Sequence, residues 1–256
     1  MAETPPIPDE QTKAAAFFAA ISQELHSERE EETTLERICQ RSLEIVPAAD
    51  ACGITLRRRR GRLETVASSD KLADRCDELQ YELDEGPCMA AAVEQDAYLV
   101  RDTARDPRWP RWGPQVAELG ARSVISVQLA STTLDSRQEP LGAINLYSSR
   151  IGAFSVEDFD HALIFATHAA SALVSARLVS GLEGAMTSRH LIGVAQGILM
   201  QRYSMTMDQA FEALQRYSSN ANIKVRDLAR LVVDQRLLPQ EYTDGALRDL
   251  DREKDG

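Results

Sequence analysis

No proline interrupts residues 155–238 of this 256-residue chain. Inside that stretch apolar residues return every three or four positions: Phe159, Leu163, Ala166, Ala170 and Leu173, then Leu178, Leu182 and Ala185 or Met186. Such spacing without a breaker commits the stretch to α-helix. Ser155-Val156-Glu157-Asp158 is an N-terminal capping signature. The helix it opens runs over about thirty residues, which is long for a compact domain. It reads as a stalk that pairs with its copy in a homodimer; packing on a sheet of its own chain is the alternative. The longest uncharged apolar run, 162–176, contains Thr167, His168, Ser171 and Ser175 and is shorter than the ~20 residues that span a bilayer.

Upstream the pattern is different. Residues 14–25 read as a helix with Phe17, Ile21 and Leu25 on one stripe, 28–32 as a solvated acidic run, and 34–46 as a second helix. After Pro47 come short β-rich runs between turn signals. Residues 51–56 and 63–67 form a hairpin around Arg60-Gly61, 98–100 a brief strand, and 123–129 and 141–147 the two strongest strands. Residues 79–83 alternate weakly and run into Asp84-Glu85-Gly86-Pro87-Cys88, where Pro87 suits the first position of a short helix over 89–93. Residues 106–114 and 131–140 read as loops. The element order predicts an α+β domain, an antiparallel sheet with its helices gathered on one face.

Composition narrows the function. With 29 basic and 40 acidic residues the net charge is −11, which excludes a protein that coats nucleic acid by bulk charge. Hydrophobic residues at 43% and charged residues at 27% exclude wholesale disorder and collagen-like chains. Cys39, Cys52, Cys76 and Cys88 are too sparse for a disulfide framework and wrongly spaced for zinc. No metal or catalytic set is assigned, and no Walker loop, HExxH or GxSxG appears. The N-terminus has neither a basic nor an apolar signal region, so a cytoplasmic, membrane-free protein is the expectation. Charge is unevenly spread: residues 187–236 hold Arg189, Arg202, Arg216, Lys224, Arg226, Arg230 and Arg236 against Asp208, Glu212, Asp227 and Asp234, or 7 − 4 = +3. The tail 237–256 is acidic.

Beyond residue 187 three helical segments are expected: 188–203, 206–217 opening on the capping box Thr206-Met207-Asp208-Gln209, and a third that begins after Asn222 and runs to about Gln235, with Val225, Leu228, Ala229, Val232 and Val233 as its buried face. Residues 192–233 closely resemble the ANTAR domain, a three-helix RNA-binding module of bacterial transcription antiterminators. The matching positions are Ala195, Gly197, Ile198, Leu199 and Met200, then Ala210, Phe211, Leu214 and Ser218, then Asn222, Lys224, Val225 and Ala229. The chain departs from the family at Gln196, where Lys is usual, and at Gln215, where Arg is common. The resemblance implies binding to RNA stem-loops in nascent transcripts, with Gln196, Gly197, Arg202, Arg216, Tyr217, Lys224 and Arg226 as candidate contacts. Cations there suit phosphates, and Tyr217 suits stacking on an unpaired base; solvated or capping roles are the plain alternative. Ala195 and Gly197 keep one helix surface shallow, while Leu199, Phe211, Leu214, Leu228 and Val232 read as core. A DNA-reading helix-turn-helix fits less well, because the third helix is largely apolar.

The preceding unit resembles a GAF domain, a small sensor module. The resemblance covers about residues 15–180 and rests on element order, on ELDEGPC (82–88), and on the DPRW and SVISVQL runs. It implies a small-molecule or redox pocket on the sheet, with Cys88, Trp109 and Ser126 as candidates and no cofactor specified. Cys88 in the first turn of a helix would be favoured as a thiolate. The domain scheme is a disordered leader 1–12, a GAF-like domain 13–153, a connecting helix 154–186, an ANTAR module 187–236 and the acidic tail. Together these point to a signal-responsive, non-enzymatic RNA-binding antiterminator. The alternatives are a redox-active GAF-type enzyme and a ligand-binding adaptor without RNA function.

Overall fold

Alternation along the strands gives the sheet two unlike faces. The strands are β1 (Ala51–Arg57), β2 (Leu63–Ser68), β3 (Ala97–Val100), β4 (Ser123–Thr132) and β5 (Gln138–Ser148), in the order β2-β1-β5-β4-β3 with every neighbouring pair antiparallel. Cys52, Ile54 and Leu56, with Ile125, Val127, Leu129, Ile144 and Leu146, face a large apolar core. Helices α1 (Glu10–Ser27), α2 (Glu31–Ile45) and the start of α6 (Val156–Tyr203) close that core with Ile21, Leu25, Leu35, Ile38, Phe165 and Leu173. The opposite face carries small and polar residues and is covered by α3 (Lys71–Leu83), α4 (Pro87–Glu94) and α5 (Trp112–Glu118). Helices therefore lie on both faces, not on one.

The computed structural model describes residues 10–94, 97–132 and 138–235, and the chain divides between Ser180 and Gly181 into two compact units. Most of the leader 1–12, the acidic tail 237–256 and Arg236 lie outside the described residues; Glu10 to Thr12 already belong to α1.

Local differences from the sequence reading have physical causes. The weakly alternating run 79–83 is the end of helix α3, whose N-cap Asp70 accepts from the Leu72 amide. Its buried face includes Asp77 and Gln80 beside Ala73, Cys76 and Leu79, so the stripe is not purely apolar. The loop 106–114 gives way at Trp112 to α5. The loop 131–140 is narrower than expected, since β4 reaches Thr132 and β5 begins at Gln138. On α1 the core stripe is Phe18, Ile21 and Leu25; Phe17 is 45% exposed. Phe18 also receives His161 and His168, with ring centroids 5.7 and 6.5 Å away. The acidic run is only partly solvated: Glu31 pairs with Arg177 at 2.8 Å and Glu28 with Arg37 at 3.4 Å.

Helix α6 does not stop near 186. It is continuous to Tyr203 and so contains the segment expected as a separate helix over 188–203. By length and composition it is apolar enough to cross a membrane, but Ala162, Phe165, Ala166, Ala169, Ala170 and Leu173 are buried in the sheet's core.

The second unit is helical. After the end of α6 come α7 (Met207–Ala221) and α8 (Val225–Gln235), joined around a small core of Ala195, Leu199, Ala210, Leu214, Leu228, Ala229 and Val232. Thr206 and Gln209 form the expected capping box, and Asn222 closes α7 in the left-handed region at φ 53°. Phe211, expected in this core, is 38% exposed. Burial follows Ala210, Ala213 and Leu214, and Phe211 falls off that stripe by one helical step.

Candidate functional site

One row across the sheet is built from side chains with little bulk. Gly53 of β1 pairs with Asn145 of β5, and Asn145 with Ser126 of β4. A carboxylate from α3 rests on this row: Asp77 is fully buried, and a Cβ on Gly53 would stand 2.6 Å from its Oδ2. Asp77 Oδ1 accepts from the Tyr147 hydroxyl, from Asn145 Nδ2 at 3.0 Å and from Gln80 Nε2 at 3.4 Å. Its Oδ2 accepts from Thr65 Oγ1 at 3.0 Å. Ser126 donates to Asn145 Oδ1, which fixes the amide with its NH2 toward Asp77. The Tyr81 hydroxyl joins Thr55 and Thr65, each at 2.8 Å.

Burial pushes the Asp77 carboxyl up to about 7, aided by the nearby Asp74 charge and opposed by hydrogen bonds from Tyr147, Thr65 and Asn145. The same network governs Cys88. Its thiol is buried and donates to Thr55 Oγ1 at 3.1 Å, and burial together with the Asp77 charge pushes it up to about 12. The helix-terminus effect that would favour a thiolate is therefore outweighed, and the Cys88 amide is already taken by Gln80 Oε1 at 2.8 Å.

The segment 84–88 is a junction of three helices. Asp84 ends α3 in the left-handed region at φ 50°. Glu85 accepts from the Arg111 and Trp112 amides at 2.7 and 2.9 Å and pairs with Arg111 at 3.0 Å, so it holds the start of α5. Gly86 is needed because a Cβ there would collide with the Gln80 side chain, and Pro87 opens α4. Trp109 and Trp112 are anchors more than a lid: both are buried, Trp112 Nε1 donates to the Cys76 carbonyl at 3.1 Å, and Arg108 lies 4.5 Å over the Trp109 ring. Of the candidates, Cys88 and Ser126 lie in the Asp77 network and Trp109 packs beside it in the cluster of Cys76, Trp112 and Val124. An open groove of about 400 Å³ reaches this network from outside, lined by Arg62, Glu64, Thr65, Asp74, Glu78 and Tyr81. Asp77 escaped the sequence reading because α3 did; the usable signal was Asp70 as an N-cap seven residues earlier.

In the second unit Arg202, Arg216, Lys224 and Arg226 are exposed, and Tyr217 is half-buried with Arg216 5.6 Å over its ring. Arg216, Gln215, Ser218, Ser219 and Glu212 of α7 and Val225 of α8 line a shallow groove of about 490 Å³, so α7 and α8 bring Arg216 near the chain segment that carries Lys224 and Arg226. Gln196 is on another side, donating to the Met207 carbonyl at 3.2 Å. Ser218 Oγ donates to the Ile223 carbonyl at 2.6 Å and clamps the α7–α8 turn. A Cβ on Gly197 would meet no heavy atom within 4 Å, whereas Ala195 is fully buried between helices.

A family model for the GAF domain matches residues 28–174, and one for the ANTAR domain matches residues 180–233. The chain belongs to the GAF family, with an ANTAR domain behind it. This GAF–ANTAR protein is thus a regulator with a sensor domain. Its fold is shared by the GAF domain of a phosphoenolpyruvate-protein phosphotransferase from Coxiella burnetii, with TM-score 0.52 at 17% identity over 68% of this chain and 99% of that one. A free methionine-R-sulfoxide reductase from Neisseria meningitidis, solved with its substrate, gives 0.50 at 16% over 69% and 98%. A bacteriophytochrome from R. palustris gives 0.54 at 10% over 84% of this chain and 47% of its own. At such identities the likeness is one of fold alone. No curated protein matches the sequence.

Proposed function

We propose that this GAF–ANTAR protein is a signal-responsive, RNA-binding transcription antiterminator that works as a cytoplasmic homodimer. The observation that carries the reading is the ANTAR match over 180–233 together with exposed cations on that segment. Arg202, Arg216, Lys224 and Arg226 meet the phosphates of an RNA stem-loop, and Tyr217 stacks on a looped-out base. Gly197 leaves the backbone of α6 open to close approach by the strand. A small molecule in the polar layer around Asp77, with Ser126 and Cys88 as its neighbours, is the signal. Helix α6 begins in the sensor unit and ends in the ANTAR unit, which supports its role as the connecting element. Gln196 and Gln215 each lack the cation usual in the family, so affinity rests on the remaining four.

The test is a gel-shift titration of stem-loop RNA across salt concentrations. Wild type binds its target tightly, with affinity falling as salt rises. Alanine at Arg216 or Lys224 lowers affinity and makes the log–log salt slope shallower by about 1 per contact. Absence of specific RNA binding at every salt concentration overturns the reading.

A further inference from the structure

The polar layer on the sheet holds a buried carboxyl that, among the described residues, no cation of the chain contacts. Elsewhere in the domain, arginines answer the carboxylates: Arg108 pairs with Asp106, Arg122 with Asp102, Arg111 with Glu85 and Arg41 with Glu24. Asp77 is more deeply buried than any of these and, among the described residues, receives only neutral donors: Tyr147, Asn145, Gln80 and Thr65. The titratable groups around it are Asp74, Cys76 and Tyr81 on α3, Cys88 on α4, Cys52 on β1 and Tyr147 on β5, every one neutral or anionic. An ionised carboxylate in such a place is costly until a cation joins it.

We propose that the sensor site takes a small organic cation, a primary ammonium or an amidine, with Asp77 as its counter-ion. This rests on reading the N-terminal unit as a ligand sensor. The approach is the groove beside β2 and α3, whose rim carries Asp74, Glu64 held by Arg58 at 3.1 Å and Arg62 at 3.5 Å, and Glu78 held by Arg75 at 3.0 Å. Thr65 and Tyr81 line the groove, and Thr65 is itself bonded to Asp77, so one side chain separates the groove from the carboxylate. Gly53, Thr55, Ser126 and Ala143 give the layer little bulk. The ammonium replaces Gln80 Nε2, the longest of the four contacts at 3.4 Å. Because Gln80 also holds the Cys88 amide, occupation of Asp77 releases the first turn of α4. A neutral ligand leaves the charge unanswered and an anion adds to it.

The full chain is titrated by calorimetry with 1,4-diaminobutane and propylamine, and with 1,4-butanediol and butyrate as neutral and anionic counterparts, at pH 6 and pH 8. The amines bind saturably and the diol and acid do not. Amine affinity rises at least fivefold from pH 6 to pH 8, as the carboxyl near 7 loses its proton. Asp77→Asn abolishes binding, while Glu118→Gln, at an exposed carboxylate of α5 away from the groove, leaves it within a few fold. Heats measured in two buffers of different ionisation enthalpy report the proton released on binding to wild type, with no need for a variant. Equal binding of the diol, undiminished amine binding to folded Asp77→Asn, no proton release at pH 6, or no saturation by either amine overturns the proposal. The RNA titration on the same preparation separates the two claims: amine binding can fail while RNA binding stands, and the reverse.

Discussion

Asp77 keeps its proton more readily in the folded chain, near pH 7, than an ordinary aspartate at 3.8 does. Between these values the folded state holds a proton that the unfolded state has lost, so stability falls as pH rises through roughly 4 to 7 and is level above. Asp77→Asn removes the titration while keeping the shape. In urea melts at pH 5 and pH 8 the variant should gain on wild type as pH rises, and a difference independent of pH would show that the carboxyl does not ionise there. The cysteines give a second residue-scale prediction. All four are buried and none forms a disulfide, and burial, followed by the Asp77 charge, pushes Cys76 as well as Cys88 up to about 12. At pH 8 the native protein should be inert to a disulfide reagent such as Ellman's over minutes and titrate four thiols in 6 M guanidinium. Fast reaction at Cys88 would instead revive the redox-enzyme alternative.

Helix α6 bears a test that separates packing from recognition. Gly181 and Gly197 both lie in it, and neither has a heavy atom within 4 Å of where a Cβ would stand. Alanine at either position should stabilise the helix by about 0.5–1 kcal/mol. If RNA approaches the backbone at Gly197, Gly197→Ala raises the melting temperature yet weakens RNA binding, whereas Gly181→Ala does only the first. Equal RNA affinity in both variants removes Gly197 from the interface. The elements also show what a sequence pattern can and cannot carry. Strands β1, β4 and β5 were legible because their apolar residues alternate against one large core, and α7 because Thr206 and Gln209 mark its start. Helix α3 was not, since Asp77 and Gln80 break its apolar stripe, and their burial depends on Gly53, Asn145 and Tyr147, which come from strands distant in sequence. Ser126 and Cys88, candidates from the sequence, lie in the Asp77 network, whereas Asp77, which organises that network, carried no such signal. The end of α6 was misplaced for another reason: residues 178–188 hold no proline, and Gly181 and Gly184 weaken the helix without ending it.

Among the described residues, helix α6 carries a row of large apolar side chains that is exposed. On α6, Leu178, Leu182 and Met186 recur at four-residue spacing and are 62%, 65% and 70% exposed. The other face of the same helix is already occupied further upstream, where Ala162, Phe165, Ala166 and Leu173 pack on the sheet. An uncovered apolar row at helical spacing, on a helix with no proline, is suited to pairing with its own copy, and this is where the proposed homodimer is expected to close. Light scattering should give wild type twice the 28.4 kDa of one chain and give Leu178→Asn/Leu182→Asn a single chain's mass. The RNA consequence follows from geometry. Two ANTAR modules held together engage two adjacent stem-loops, so the second contact is intramolecular and strengthens binding by as much as ~10²–10⁴ over one stem-loop. The double variant should therefore bind a single stem-loop as wild type does and lose its preference for the tandem RNA. A monomeric wild type, or a monomeric variant that keeps that preference, would place two-site recognition outside this helix.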